Sequence, residues 1–112
     1  MSVKIVHIST NEEWKESLEQ GEYRSDSLKN EGFIHCSKEG QVLWVANSYY
    51  PKREDLILMW IDTDKLAAEL RWEKSEGDVF PHLYGPLNLD AVLSVKEFPP
   101  NEGGIFIEVP AP

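Results

Sequence analysis

Glu31-Gly32-Phe33-Ile34-His35-Cys36-Ser37 is the stretch on which the fold turns. Successive side chains of a strand alternate faces, so Phe33, His35 and Ser37 share one side and Ile34 and Cys36 the other. The alternation predicts a strand over Phe33 to Ser37, entered at Gly32, with Ser37 placed to cap the helix that follows. A second polar cluster, Phe80-Pro81-His82-Leu83-Tyr84-Gly85-Pro86, is expected to lie against it. Rigid, aromatic and polar-tipped, that segment suits the wall of a planar-ligand site. Turn chemistry alone explains it as well.

The totals narrow the class. A chain of 112 residues has room for one core, and 41% hydrophobic with 28% charged residues is the composition of a globular domain. A net charge of −9 argues against nucleic acid and against an anionic membrane surface, both of which need Lys and Arg. One cysteine allows no internal disulfide, which fits a reducing cytoplasm. Met1-Ser2-Val3-Lys4 lacks a secretory h-region, and the longest apolar run, Leu56 to Ile61, is too short to span a bilayer. A cytoplasmic protein is expected.

Outward from the opening stretch, Val3 to Ile8 alternates as a strand with apolar groups on both faces, which predicts a central position. Thr10 and Glu13 match a capping box, and Trp14 and Leu18 share a face of the helix that Gly21 ends. Tyr23 to Lys29 is a loop with a helical turn over Ser25 to Leu28. A second helix runs from Lys38 to Tyr49, its face carried by Val42, Val45, Ala46 and Tyr49, and Pro51 ends it. Leu56 to Asp62 is continuously apolar, the pattern of an internal strand. A short helix capped by Thr63 follows. Leu70 to Lys74, Val79 to Tyr84 and Ala91 to Phe98 are further strands, with a turn at Glu76-Gly77-Asp78 and a bend over Pro86 to Asp90. Helices early and strands late predict an α+β fold: one compact domain over residues 1–112, with a mixed, mostly antiparallel sheet and two main helices. Residues 99–112 form a C-terminal loop with an edge strand over Ile105 to Val109.

His7, His35 and His82 are the chain's histidines, each at or near the end of a predicted strand. Imidazole serves as acid, base, hydrogen-bond donor or metal ligand. A lone strand histidine is more often structural, but three in motif-like stretches point to a shared site. No pair has the short spacing of a strong metal motif, so no metal is expected. Cys36 alternates away from His35 and belongs to the core. Arg71 and Glu73 share a strand face, where they form a surface ion pair or meet a ligand, Arg71 being suited to phosphate.

Val6-His7-Ile8 with Trp14, Gly21-Glu22-Tyr23, Ser27-Leu28, Glu31 to Ser37, Gln41, Leu58 to Asp62, Arg71-Trp72-Glu73 and Phe80 to Val92 together resemble the domain-of-unknown-function family 952, small bacterial and plant proteins. The layout of that family is similar to the ADP-ribosyltransferase fold, and to its RNA 2′-phosphotransferase branch. His7 to Thr10 would match that branch's first His-Gly-Thr motif, with Ile8 in the glycine position, and His35-Cys36-Ser37 its second. Asn30-Glu31-Gly32 stands where the phosphotransferases carry an arginine. The resemblance implies NAD or a related nucleotide in a cleft between two sheets, and cleavage of the nicotinamide–ribose bond. It implies catalytic His7, His35 and His82. It also implies ligand contacts from Ser37 on the ribose, Arg71 on the pyrophosphate, Tyr84 on the nicotinamide ring, and Tyr23. Glu73 and Glu108 are the candidates for the late glutamate of that fold. Two other functions fit the same residues: a non-catalytic module binding a small ligand or peptide, and a metal-dependent hydrolase using the three histidines.

Overall fold

A computed structural model describes residues 3–112; Met1 and Ser2, the start of the expected domain span, lie outside the described residues. In chain order the elements are β1 (Lys4–Thr10), α1 (Asn11–Gln20), β2 (Glu22–Tyr23), α2 (Asp26–Glu31), β3 (Ile34–His35), α3 (Glu39–Tyr49), β4 (Leu56–Asp62), β5 (Glu69–Ser75), β6 (Asp78–Tyr84), β7 (Leu87–Asn88) and β8 (Val92–Glu97). They form a single α+β domain. Three small sheets have the orders β1-β4-β8, β2-β7 and β3-β6-β5, and every pairing among the described residues is antiparallel.

β4 is the strand around which the cores form. All seven of its residues are buried, which is why its sequence is apolar without alternation. Ile57, Met59 and Ile61 face one core with Ile5, Tyr23, Ile34, Cys36, Leu83 and Leu87. Leu56, Leu58 and Trp60 face the other, with Val6, Ile8, Val42 and Ala46 of α3, Phe98 and Phe106. β1 carries apolar groups on both faces for the same reason. It is nevertheless an edge strand of its sheet, not a central one: among the described residues its outer edge takes only an antiparallel bridge from Val6 to Ser37. A strand between two cores is buried on both faces wherever it stands in the hydrogen-bonding order.

Several local expectations change. Among the described residues the α-helices number three, because Asp26–Glu31 closes into α2 and ends on Gly32 at φ 91°, a left-handed conformation that glycine adopts without strain. The strand expected over Phe33 to Ser37 pairs in ladder fashion only at Ile34 and His35. Lys38, not Ser37, caps α3: its backbone N–H donates to Gln41 Oε1 at 2.9 Å. Thr10 does cap α1, accepting from the Glu13 N–H at 3.1 Å. On that helix Ser17 is the buried residue and Leu18 is exposed, while Trp14 packs at the core margin. Thr63 caps nothing. Its hydroxyl donates to the Val3 carbonyl at 2.7 Å, Asp62 accepts the Asp64 N–H at 3.0 Å, and a short 3₁₀ turn replaces the expected helix. The Glu76-Gly77 turn has positive φ at both positions (54° and 79°), as a two-residue hairpin between twisted strands requires.

Ile105 to Val109 forms no strand. The segment is held by side chains instead. Asn47 donates to the Phe106 carbonyl at 2.9 Å and accepts its N–H at 2.8 Å. Trp60 Nε1 donates to the Pro110 carbonyl at 2.8 Å. The Phe106 ring then packs 5.0 Å from that of Phe98 inside the second core. No helix among the described residues is long and apolar enough to cross a membrane.

This strap should be a stability element. Phe106→Ala is expected to cost about 3–5 kcal/mol and Asn47→Ala about 1–2 kcal/mol in urea unfolding. A neutral Phe106→Ala would show that the terminal segment does not seal the core.

Candidate functional site

The bridge between Val6 and Ser37 builds the site. Val6 N–H donates to the Ser37 carbonyl and Ser37 N–H to that of Val6, both at 2.8 Å. Cys36 N–H donates to the Pro81 carbonyl at 3.0 Å. The end of β1, the β3 segment and β6 are thereby laid side by side. Gln41 fixes the start of β6, donating from Nε2 to Asp78 Oδ2 and to the Val79 carbonyl. A cleft of about 1400 Å³ opens beside this junction. His7, Tyr23, His35, Ser37 and His82 all line it. Arg71, Glu73, Tyr84 and Glu108 do not.

His7 is buried on the β1 face that bears Ile5 and Ser9. Its Nδ1–H donates to the His35 carbonyl at 2.5 Å, since a carbonyl can only accept. Its Nε2 lies 2.8 Å from the Tyr23 hydroxyl, which lies 3.1 Å from Ser9 Oγ, itself 3.1 Å from Glu13 Oε1. Both ends of this chain, a carbonyl and a carboxylate, only accept. A neutral imidazole and two hydroxyls bring three protons to four links, so one link holds no proton. Burial pushes the His7 ring down to about 4, against the pull of its bond to the His35 carbonyl. Burial likewise pushes the Tyr23 hydroxyl well above its usual range.

The second network lies behind His82. That ring is 5% exposed, and its Nδ1 is 2.8 Å from Glu73 Oε1. The Tyr84 hydroxyl donates to the same oxygen at 2.6 Å. Those bonds, Tyr84 first, hold the Glu73 carboxyl below the usual carboxylate range. Phe33 stacks on His82 with ring centroids 4.2 Å apart and planes 25° apart, and the His35 ring stands edge-on 5.4 Å away. His35 itself is half exposed and pairs with Glu31 at 3.0 Å. Arg71 reaches Glu69 at 3.0 Å and lies 4.2 Å over the Tyr84 ring. The expected shared face of Arg71 and Glu73 is therefore real, and it meets the cleft through the paired residues His82 and Phe80.

Cys36 is buried and its thiol is pushed up to about 12, so it is an inert core group. Among the described residues no three His, Cys, Asp or Glu side chains are grouped to hold a metal ion. Ser9, Glu13 and Phe33 are site residues that sequence reasoning did not assign. Ser9 had a visible signal, a second polar group two residues after His7 on an apolar face.

A family model described as "Protein of unknown function (DUF952)" matches residues 8–95, and the chain belongs to that family. It is similar to the crystal structure of protein CC0527 from Caulobacter crescentus, with 29% identity and a TM-score of 0.86 over 94% of each chain. The solution structure of CC0527 gives 30% identity and a TM-score of 0.79, over 91% of this chain and 90% of that one. No curated protein matches.

The buried His7 predicts an acid-sensitive fold. Its folded pKa lies below its unfolded one, so the unfolded chain binds the extra proton. The associated stability is complete above about pH 6.5 and is lost as the pH falls toward 4, by about 3 kcal/mol. Urea unfolding across that window should show this slope in the native chain and a shallower one in His7→Gln. Equal slopes would refute the assignment.

Proposed function

We propose that the cleft holds the nicotinamide–ribose half of NAD or of a related nucleotide, and that the protein acts on the bond between nicotinamide and ribose. One observation carries this reading: three histidines from separate strands open onto one cleft large enough for such a ligand. His35 and Ser37 meet the ribose, and the Tyr23–His7 corner meets the carboxamide. An oxocarbenium-like ribose would be stabilised by these fixed dipoles rather than by covalent attack.

Charge refines the ligand. Around the cleft carboxylates, among them Glu12, Glu13, Glu22, Asp26 and Asp55, outnumber the cations Lys15, Arg24 and Arg53. Arg53 is already paired with Asp55 through two bonds of 2.7 Å, and Arg24 with Glu22. Such a lining favours the cationic pyridinium end and gives little to a pyrophosphate. Arg71, outside the lining, is not its partner. The same charge also supports a second reading, a non-catalytic binder of a small organic cation.

Calorimetry and thermal unfolding with NAD and with nicotinamide riboside, each at millimolar concentration, test the proposal. Binding of the riboside at least as tightly as NAD is expected. No heat and no shift in Tm with either ligand overturns the reading. Release of free nicotinamide, followed by chromatography, separates the enzyme from the binder.

A further inference from the structure

We infer that Nε2 of His82, set by Glu73, is the proton acceptor of the cleft, and that it takes the proton of a hydroxyl, from water or an alcohol, bound there. What the activated oxygen attacks rests on the nicotinamide–ribose reading; the base itself stands on geometry alone.

The Glu73 carboxylate can only accept, so at 2.8 Å it places the proton of the neutral His82 ring on Nδ1. Nε2 is then a lone pair. That atom is buried and has no hydrogen-bond partner among the described residues. Buried polar atoms are nearly always paired, so an acceptor left in this state is a place for an incoming hydrogen-bond donor. A ligand carbonyl or phosphate oxygen would offer a second lone pair and be repelled; an O–H is complementary. The ring also sits in the lining of the cleft, while Glu73 lies outside it, so the unpaired nitrogen is on the side away from the Glu73 bond. The groups around the ring are Glu73 with its Tyr84 hydroxyl, Phe33 flat against one face, and His35 edge-on with its Glu31 partner. Of these, His35 is half exposed and lines the cleft, so its movement opens Nε2 to a ligand.

The step balances within the proposed reaction. The ligand O–H bond breaks as Nε2–H forms, and the freed oxygen pair bonds to the anomeric carbon. The carbon–nitrogen bond breaks with its electron pair going to the pyridinium nitrogen, and nicotinamide leaves neutral. Glu73, a positioning residue, stands opposite the charge the imidazole gains. His82 then returns the proton to solvent.

The test needs no nicotinamide ligand, so its failure and the failure of the NAD titration are separate results. Long-range proton–nitrogen correlation of the histidine rings at neutral pH should show His82 with Nδ1 protonated and Nε2 bare, and Glu73→Ala should scramble that tautomer. A protonated Nε2 in the native chain overturns the proposal. Carbethoxylation of His82 by diethyl pyrocarbonate, read by mass of the modified peptide, should be slow in the native chain. It should rise about tenfold in His35→Ala, as the open population rises by that factor. Phe33→Ala, which removes the stacked ring instead, should raise it too. An unchanged rate in both variants overturns the access route and with it the role of Nε2 in the cleft.

Discussion

Two backbone hydrogen bonds between Val6 and Ser37 hold the molecule's working parts together. β1 belongs to one three-stranded sheet and β3 to another, and this bridge is where the two sheets touch in hydrogen-bonding register. A single bridge is weak as a ladder. It persists because Val6 and Ile34 are fully buried, on the two cores that β1 and β4 divide. The bridge converts packing into placement. It sets the His35 carbonyl over His7, and the neighbouring Cys36–Pro81 bond sets β6 beside it.

What the sequence made legible follows the range of the forces involved. β4 and the β5–β6 hairpin were readable because their signals are local: an unbroken apolar run, a period of two, and an Glu76-Gly77 turn. Thr10 was readable as a cap because its partner lies three residues away. Ser37 and Thr63 looked like caps on the same local chemistry, but each has a partner on β1 or at its start, Val6 and Val3, far off in sequence. Ile105 to Val109 alternates like a strand, yet it pairs with no strand among the described residues. Asn47 and Trp60 satisfy its backbone instead. β2 and β7 are two residues each, too short to leave a period.

The site was half legible for the same reason. Histidines are few, so their convergence on one cleft was readable in outline, although His7 and His82 stand inside β1 and β6 rather than at the strand ends expected of them. Tyr23 entered through family resemblance: Gly21 marks the end of α1, but nothing local says that the next two residues bring Tyr23 onto His7 and Ser9. Arg71 and Glu73 were placed correctly on one face of β5, but sequence alternation does not say which layer that face looks toward. It is the face shared with Phe80, His82 and Tyr84 of β6, of which Phe80 and His82 line the cleft.

His35 is where the two networks meet, through different parts of one residue. Its backbone carbonyl receives the His7 proton, and its ring stands over His82. The chain from Glu13 to His7 thus ends on the carbonyl of the residue whose ring stands edge-on to His82. A rotation of the exposed His35 ring leaves the backbone carbonyl in place, because β3 pairing and the Val6–Ser37 bridge fix the main chain. Access to His82 can therefore change without disturbing the buried His7 chain. That separation, a fixed main chain bearing a movable ring, lets the surroundings of His82 adjust while the His7 chain keeps its hydrogen bonds.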